Sequence, residues 1–195
     1  YQIGTWVRNA LPFMFLDGVY ILNSRVDVLM LGAFTTAEVV GLYAVVSRWA
    51  QLITFILMAV NNTIAPTIAS LHAEGKKNQL QRVVTKSARA VLCVSLAIAI
   101  VVIGGRYWLL LLFGPEFTQG QNALIILSIA QVVNAATGSV GLLLNMTGHE
   151  RFTALTVGIC AVVNVILNAV LIPIRGINGA ATATASSIIL LNVMN

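Results

Sequence analysis

The sequence predicts an all-α protein, a polytopic bundle of about six transmembrane helices. Three observations carry this. Of 195 residues, 58% are hydrophobic and only 9% are charged, whereas a soluble domain usually carries about 25% charged residues. Several apolar runs are long enough for the roughly 20 residues that a helical crossing needs. These runs are also apolar all round, as in LCVSLAIAIVVIG and TVGICAVVNVILNAVLIPI. A soluble bundle would show an apolar stripe with a polar reverse face, and barrel strands would alternate over about ten residues.

The first expected span, 11–34, is interrupted by Asp17, Asn23, Arg25 and Asp27. The second, 39–68, carries Arg48, Asn61, Asn62 and Pro66. A basic segment, 72–89, follows with Lys76, Lys77, Arg82, Lys86 and Arg89. The third span, 91–112, has Gly104 and Gly105 late in it, and Gly114-Pro115-Glu116-Phe117-Thr118-Gln119-Gly120 reads as a turn. The fourth, 122–146, leads through Thr147–Arg151 to the fifth, 152–172. Pro173 and Gly176 close the fifth, and a sixth, 178–195, begins near Asn178.

Orientation follows from the lysines and arginines, which are retained on the cytoplasmic side of a membrane protein. With six spans, the N-terminus, the second loop and the fourth loop share one side, which holds Arg8, Lys76, Lys77, Arg82, Lys86, Arg89 and Arg151. The other side holds Arg106 and Arg175. The N-terminus and segment 72–89 are therefore expected in the cytoplasm. The same asymmetry accounts for the net charge of +5 without a nucleic-acid partner. The start lacks the pattern of a signal peptide. It also lacks an initiating Met, and the chain stops within an apolar stretch, so a piece of a longer protein is expected.

Charge at membrane depth costs at least about 2.5 kcal/mol per group and normally faces a bundle interior or a water-filled cavity. At roughly 100° per residue, Tyr20, Asn23 and Asp27 share one face of the first span, with Arg25 nearly opposite Asp27. Those two neighbours cannot pair within their own helix. Arg48 lies about ten residues into its span, too deep for easy snorkelling, with Gln51 one turn on. Two readings compete: a polar cavity with cations for an anionic substrate and carboxylates for ion coupling, or interhelical ion pairs that fix packing. For Asn61, Asn62, Gln131, Asn134, Asn164 and Asn168, interhelical hydrogen bonding is expected. Gly179, Ala183 and Ser187 recur at spacing four and form a small-residue ridge for close helix packing.

Enzyme chemistry has no counterpart in the pattern. His72 and His149 lie in loops without metal-ligand spacing. Cys93 and Cys160 sit singly in apolar runs, as packing or lipid-facing residues. No phosphate-binding glycine loop or nucleophile–His–acid set stands out.

An ordered series of motifs carries a family resemblance. Leu11-Pro12 enters a helix that ends in Val26-Asp27-Val28-Leu29-Met30-Leu31-Gly32. Val40-Gly41-Leu42-Tyr43-Ala44-Val45 follows, then Ala65-Pro66 ahead of the basic segment. Further on come Phe113-Gly114-Pro115-Glu116-Phe117 and Thr147-Gly148-His149. Last are Asn164 to Asn168, Leu171-Ile172-Pro173, Gly176-Ile177-Asn178-Gly179-Ala180-Ala181 and Thr184.

In order and interval, over nearly the whole chain, the sequence resembles the C-terminal half of a polysaccharide or O-antigen flippase of the multidrug/oligosaccharidyl-lipid/polysaccharide exporter superfamily. The resemblance implies one six-helix lobe of a two-lobe transporter, whose N-terminal lobe is the partner across a central cavity. It implies alternating-access movement of a lipid-linked oligosaccharide, typically on undecaprenyl pyrophosphate, across the bacterial cytoplasmic (inner) membrane for polysaccharide, O-antigen or lipopolysaccharide biosynthesis. Arg48 and Arg25, with Gln51 and Asn23, would bind the anionic headgroup, since guanidinium groups bind such oxygens bidentately. Asp27 and Asp17 would serve ion coupling by H+ or Na+, with no other cofactor. The alternatives are an ion-coupled multidrug antiporter, which would favour carboxylates and aromatics in the cavity, and a non-transporting membrane scaffold.

Overall fold

The computed structural model describes residues 25–195, which form seven α-helices and one 3-10 turn and contain no strand. The expected all-α bundle is what is observed. The helices are α1 (Val26–Phe34), α2 (Ala37–Ala73), α3 (Lys77–Gly104), α4 (Arg106–Leu111), α5 (Gln121–Thr137), α6 (Val140–Met146) and α7 (Glu150–Met194), with the 3-10 turn Pro115–Gly120 before α5.

Length and hydropathy make α2, α3 and α7 able to cross a membrane, and the bent pair Pro115–Thr137 with Val140–Met146 adds a fourth candidate. The longest of these is folded back on itself. Gly176 in α7 has φ 54 and ψ −129, a positive-φ conformation that glycine adopts readily and L side chains rarely do. On either side lie arms of about 26 and 18 residues, or roughly 39 and 27 Å of helix. Asn164 Nδ2 donates to Ser187 Oγ at 3.1 Å and Thr156 Oγ1 donates to Asn195 Oδ1 at 3.0 Å. These pairs converge on Gly176 and fix the arms as antiparallel. The ridge Gly179–Ala183–Ser187 is the seam of this hairpin. A Cβ on Gly179 would collide with the Leu171 carbonyl, Ala183 is fully buried, and Ser187 meets Asn164.

The basic segment 72–89, expected as a loop, is helical except at 74–76. α2 continues to Ala73 and α3 already starts at Lys77, because polar helix turns can project from a bilayer into water, where their charges stay solvated. The third expected span ends early, since Gly104 and Gly105 stop α3 and the chain restarts as the short α4. There Tyr107 and Trp108 stack edge-to-face at 5.6 Å and stay exposed, as aromatic rings do at a membrane interface. The fourth span is broken at Gly138 (φ 70), where a Cβ would stand 2.8 Å from Ala88 Cβ. Its two parts meet at 45°.

The core joins α1, α2, α3, α4, α5 and the hairpin around Leu31, Tyr43, Val46, Val102, Leu124 and Ile172. Leu42, Val46, Ala50, Ile53 and Leu57 are the buried stripe of α2, spaced to fall on one helical face. Ser95 Oγ of α3 donates to the Ile53 carbonyl at 2.7 Å, which sets the register of the antiparallel α2–α3 pair. The outer surface is apolar: Phe55, Met58, Ile100, Val101, Val162 and Ile174 are 60–71% exposed. A soluble monomer rarely exposes apolar patches on this scale.

Candidate functional site

Asp27 stands in the first turn of α1, half-buried, where the backbone N–H of Val28 donates to its Oδ1 at 2.9 Å. The other oxygen, Oδ2, accepts the Tyr43 hydroxyl of α2 at 2.7 Å and the Thr184 hydroxyl of the second α7 arm at 3.4 Å. Tyr43 and Thr184 are themselves 3.3 Å apart. Three separate elements thus converge on one carboxylate. Tyr43 is fully buried, and its ring packs in the core while its hydroxyl reaches the acid. Beside this triad a cavity of about 180 Å³ is lined by Asp27, Thr184, Asn164, Ser187 and Cys160, among others. Its polar lining is made of oxygen-bearing side chains with one thiol.

Asn164 and Asn168 extend the polar set. Asn168 is fully buried, and its Nδ2 donates to the carbonyl and to Oδ1 of Asn164 at 3.0 and 2.9 Å. Its own Oδ1 is buried without a hydrogen-bond partner. Spacing four put these amides on one face in the sequence, and the fold turns that face toward Ser187. Among the described residues there is no cluster of three His, Cys, Asp or Glu side chains able to hold a metal ion.

Arg48 lies elsewhere. It is exposed on α2, five positions from Tyr43 and on another face of the helix. Ala44, Val45, Trp49, Leu52 and Phe113 surround it in an open groove of about 390 Å³. Gln51 is exposed one turn on, on the same side. The α2–α3 register puts Arg48 level with Ile100, about 16 Å along the axis from the level of Arg89. If the basic turns end at the bilayer surface, that is close to the midplane of a roughly 30 Å core. Asp27 and Arg48 therefore stand in two places, a half-buried acid among helices and an exposed cation on the outside of the bundle. Arg25 stands at the N-cap position of α1 without a capping side-chain bond and is exposed. Asn23 and Asp17 lie outside the described residues.

Among the described residues the one ion pair is Lys76–Glu74, which is exposed. The alternative reading of Arg25, Asp27 and Arg48 as interhelical ion pairs thus has no counterpart there. Interhelical bonding of the amides is observed for Asn61 with Ser139, Asn134 with Asn192 at 3.1 Å and Asn164 with Ser187. Gln131 bonds only Asn134 of its own helix, and Asn62 is exposed. Sequence reasoning did not connect Tyr43 and Thr184 to Asp27. The available signal was a hydroxyl on each of two largely apolar helices.

The MatE family signature matches residues 12–170. The chain belongs to the MatE family. This agrees with the exporter-superfamily resemblance carried by the sequence motifs. Among curated proteins, the chain is 31% identical over 196 residues to "Probable flippase AglR" of Haloferax volcanii, covering 97% of this chain and 40% of that protein. It is 30% identical over 165 residues to "Probable low-salt glycan biosynthesis flippase Agl15" of the same organism, covering 84% of this chain and 35% of the relative. The chain therefore spans well under half the length of the curated relatives it matches. No solved structure matches it.

Proposed function

We propose that this chain is the C-terminal lobe of a membrane flippase that moves a lipid-linked oligosaccharide by alternating access, with Arg48 binding the anionic headgroup. The observation that carries the reading is the position of Arg48. A guanidinium at mid-depth, on the outer face of an apolar bundle, would cost at least about 2.5 kcal/mol in lipid. Opposite a second lobe the same face becomes the wall of a water-filled cavity, where Arg48 and Gln51 point at a passing headgroup. The relatives' greater length leaves room for that lobe, and their names supply the class of substrate. Transport rather than catalysis is the activity that the relatives' names give. Arg25, exposed at the start of α1, is a second candidate contact.

Asp27 is the proposed coupling site. Its carboxylate, with Thr184 and the nearby Asn164, offers oxygen ligands, which suit a proton or a hard cation such as Na+. Ion binding at a point where α1, α2 and the α7 hairpin meet would bias their packing, and the lobe with it. Under the positive-inside bias the end bearing Arg82, Lys86 and Arg89 faces the cytoplasm. The carrier proposed is undecaprenyl pyrophosphate in a cytoplasmic membrane, whose two phosphates match a guanidinium.

The test uses the full-length parent protein in proteoliposomes with a fluorescent undecaprenyl-pyrophosphate oligosaccharide and an impermeant quencher. Wild type should translocate it, and Arg48→Ala should lower the rate by about tenfold or more, as loss of a charge-assisted contact predicts. Asp27→Asn should abolish the response to an imposed Na+ or H+ gradient. Translocation unchanged in Arg48→Ala would refute the headgroup role. Absence of glycan translocation with gradient-driven efflux of a small cationic drug would favour the antiporter reading.

A further inference from the structure

One surface remains outside both sites. Along α3, Arg82, Lys86, Arg89, Cys93, Leu96 and Ile100 are all exposed and follow one another at spacings of four and three. They therefore form a single stripe down one face of the helix. The stripe changes character abruptly. Its first three residues are cations, and its last three are apolar or nearly so. The cationic half opens into a groove of about 540 Å³, whose flanks are filled by Asn78, Gln81 and Thr85.

These charges have no acidic counterpart along the helix. Of the six carboxylates in the chain, none falls between Glu74 and Glu116, and Glu74 is paired with Lys76. From Arg89 to Ile100 the stripe descends about 16 Å, close to the thickness of one leaflet's hydrocarbon. Thr85, Gln81 and Asn78 add uncharged hydrogen-bonding groups around the cations, as the glycerol and phosphate oxygens of a headgroup require.

We infer that this stripe is a binding site for one anionic phospholipid, its phosphate held by Arg82, Lys86 and Arg89 and its acyl chain laid along Cys93, Leu96 and Ile100. Charge complementarity selects the headgroup, and continuity of the same helix face into apolar surface selects a lipid over a soluble anion. The site does not depend on the transport reading, since it lies on a different helix from Arg48 and Asp27. Each cation near a membrane surface raises affinity for anionic lipid by roughly fivefold, so three acting together give a clear preference.

The experiment is native mass spectrometry of the delipidated full-length parent protein, titrated with phosphatidylglycerol and phosphatidylcholine of identical acyl chains. Wild type should retain phosphatidylglycerol by about tenfold or more over phosphatidylcholine. The variant Arg82→Gln/Lys86→Gln/Arg89→Gln should bring the two close to parity, while Arg82→Lys/Arg89→Lys keeps most of the preference. Lys86→Gln alone, at an exposed position, should lower the preference by a few-fold and covers the case of a triple variant that does not fold. An unchanged preference in both glutamine variants would overturn the proposal. So would displacement of phosphatidylglycerol by one equivalent of undecaprenyl-pyrophosphate oligosaccharide, which would make the groove a substrate site. Displacement by millimolar inorganic phosphate would equally overturn it, in favour of a soluble-anion site.

Discussion

Replacing Tyr43 with Phe tests whether the convergence on Asp27 holds three elements together. The substitution keeps the buried ring and removes one hydroxyl, so packing in the core around Val46 and Leu124 is preserved. What is lost is the 2.7 Å bond to Asp27 Oδ2 and the 3.3 Å contact with Thr184. A hydrogen bond to a charged group contributes about 1.5–3 kcal/mol in a soluble protein. Interhelical bonds in membrane proteins measure lower, averaging about 0.6 and reaching about 1.7 kcal/mol. Asp27 keeps the Val28 N–H at 2.9 Å and the longer Thr184 contact at 3.4 Å, so the carboxylate is not stranded. The expected loss is therefore about 1–1.5 kcal/mol.

The assay is reversible unfolding of the full-length parent protein in mixed micelles, applied to Tyr43→Phe, Asp27→Asn and the double variant. A coupling energy close to the single-variant loss is expected, because the acid is the hydroxyl's principal partner. Additivity within about 0.5 kcal/mol would refute the reasoning and reduce Tyr43 to a core aromatic whose hydroxyl is indifferent to its neighbour.

Two further outcomes test the hairpin and the end of the bundle that carries the basic residues. Gly179→Val should destabilise by about 3 kcal/mol or more, because the new Cβ meets the Leu171 backbone rather than a movable side chain; size-exclusion profiles and unfolding midpoints would report it, and a wild-type midpoint would contradict the close approach of the two arms. Asn192→Ala removes the acceptor of the Thr137 hydroxyl at 2.5 Å and the donor to Asn134 at 3.1 Å. The same unfolding assay should register a loss of about 1–2 kcal/mol, and no loss would mean that α5 and the second arm are held by packing alone.

Much of the fold could be read from residue order. The all-round apolar runs around Val91–Ile103 and Phe152–Ile172 required helices that expose no polar face to water. The small residues Gly179, Ala183 and Ser187 announced a close seam, since spacing alone puts them on one side of a helix. The basic segment was expected as a loop and is mostly helical, because charge marks where water begins and not where a helix ends. Lys77 to Arg89 are solvated and helical together. The break at Gly138 was hidden inside an apolar run, as the need for it comes from Ala88 on another helix.

The sequence by itself determined the membrane class, the basic end of the bundle, the motif order that places the chain in the MatE family, and the presence of charge at depth. All of these depend on composition, on local period or on linear order. Only the tertiary structure decided which charges face which surroundings. Tyr43 and Thr184, 141 positions apart, reach Asp27 because the rotation of α2 and the hairpin at Gly176 bring their hydroxyls to one point. Arg48, five residues from Tyr43, is carried to the outside by the same helical turn. Such partners are fixed by helix rotation and register summed over many packing contacts, and no short stretch of sequence encodes that sum.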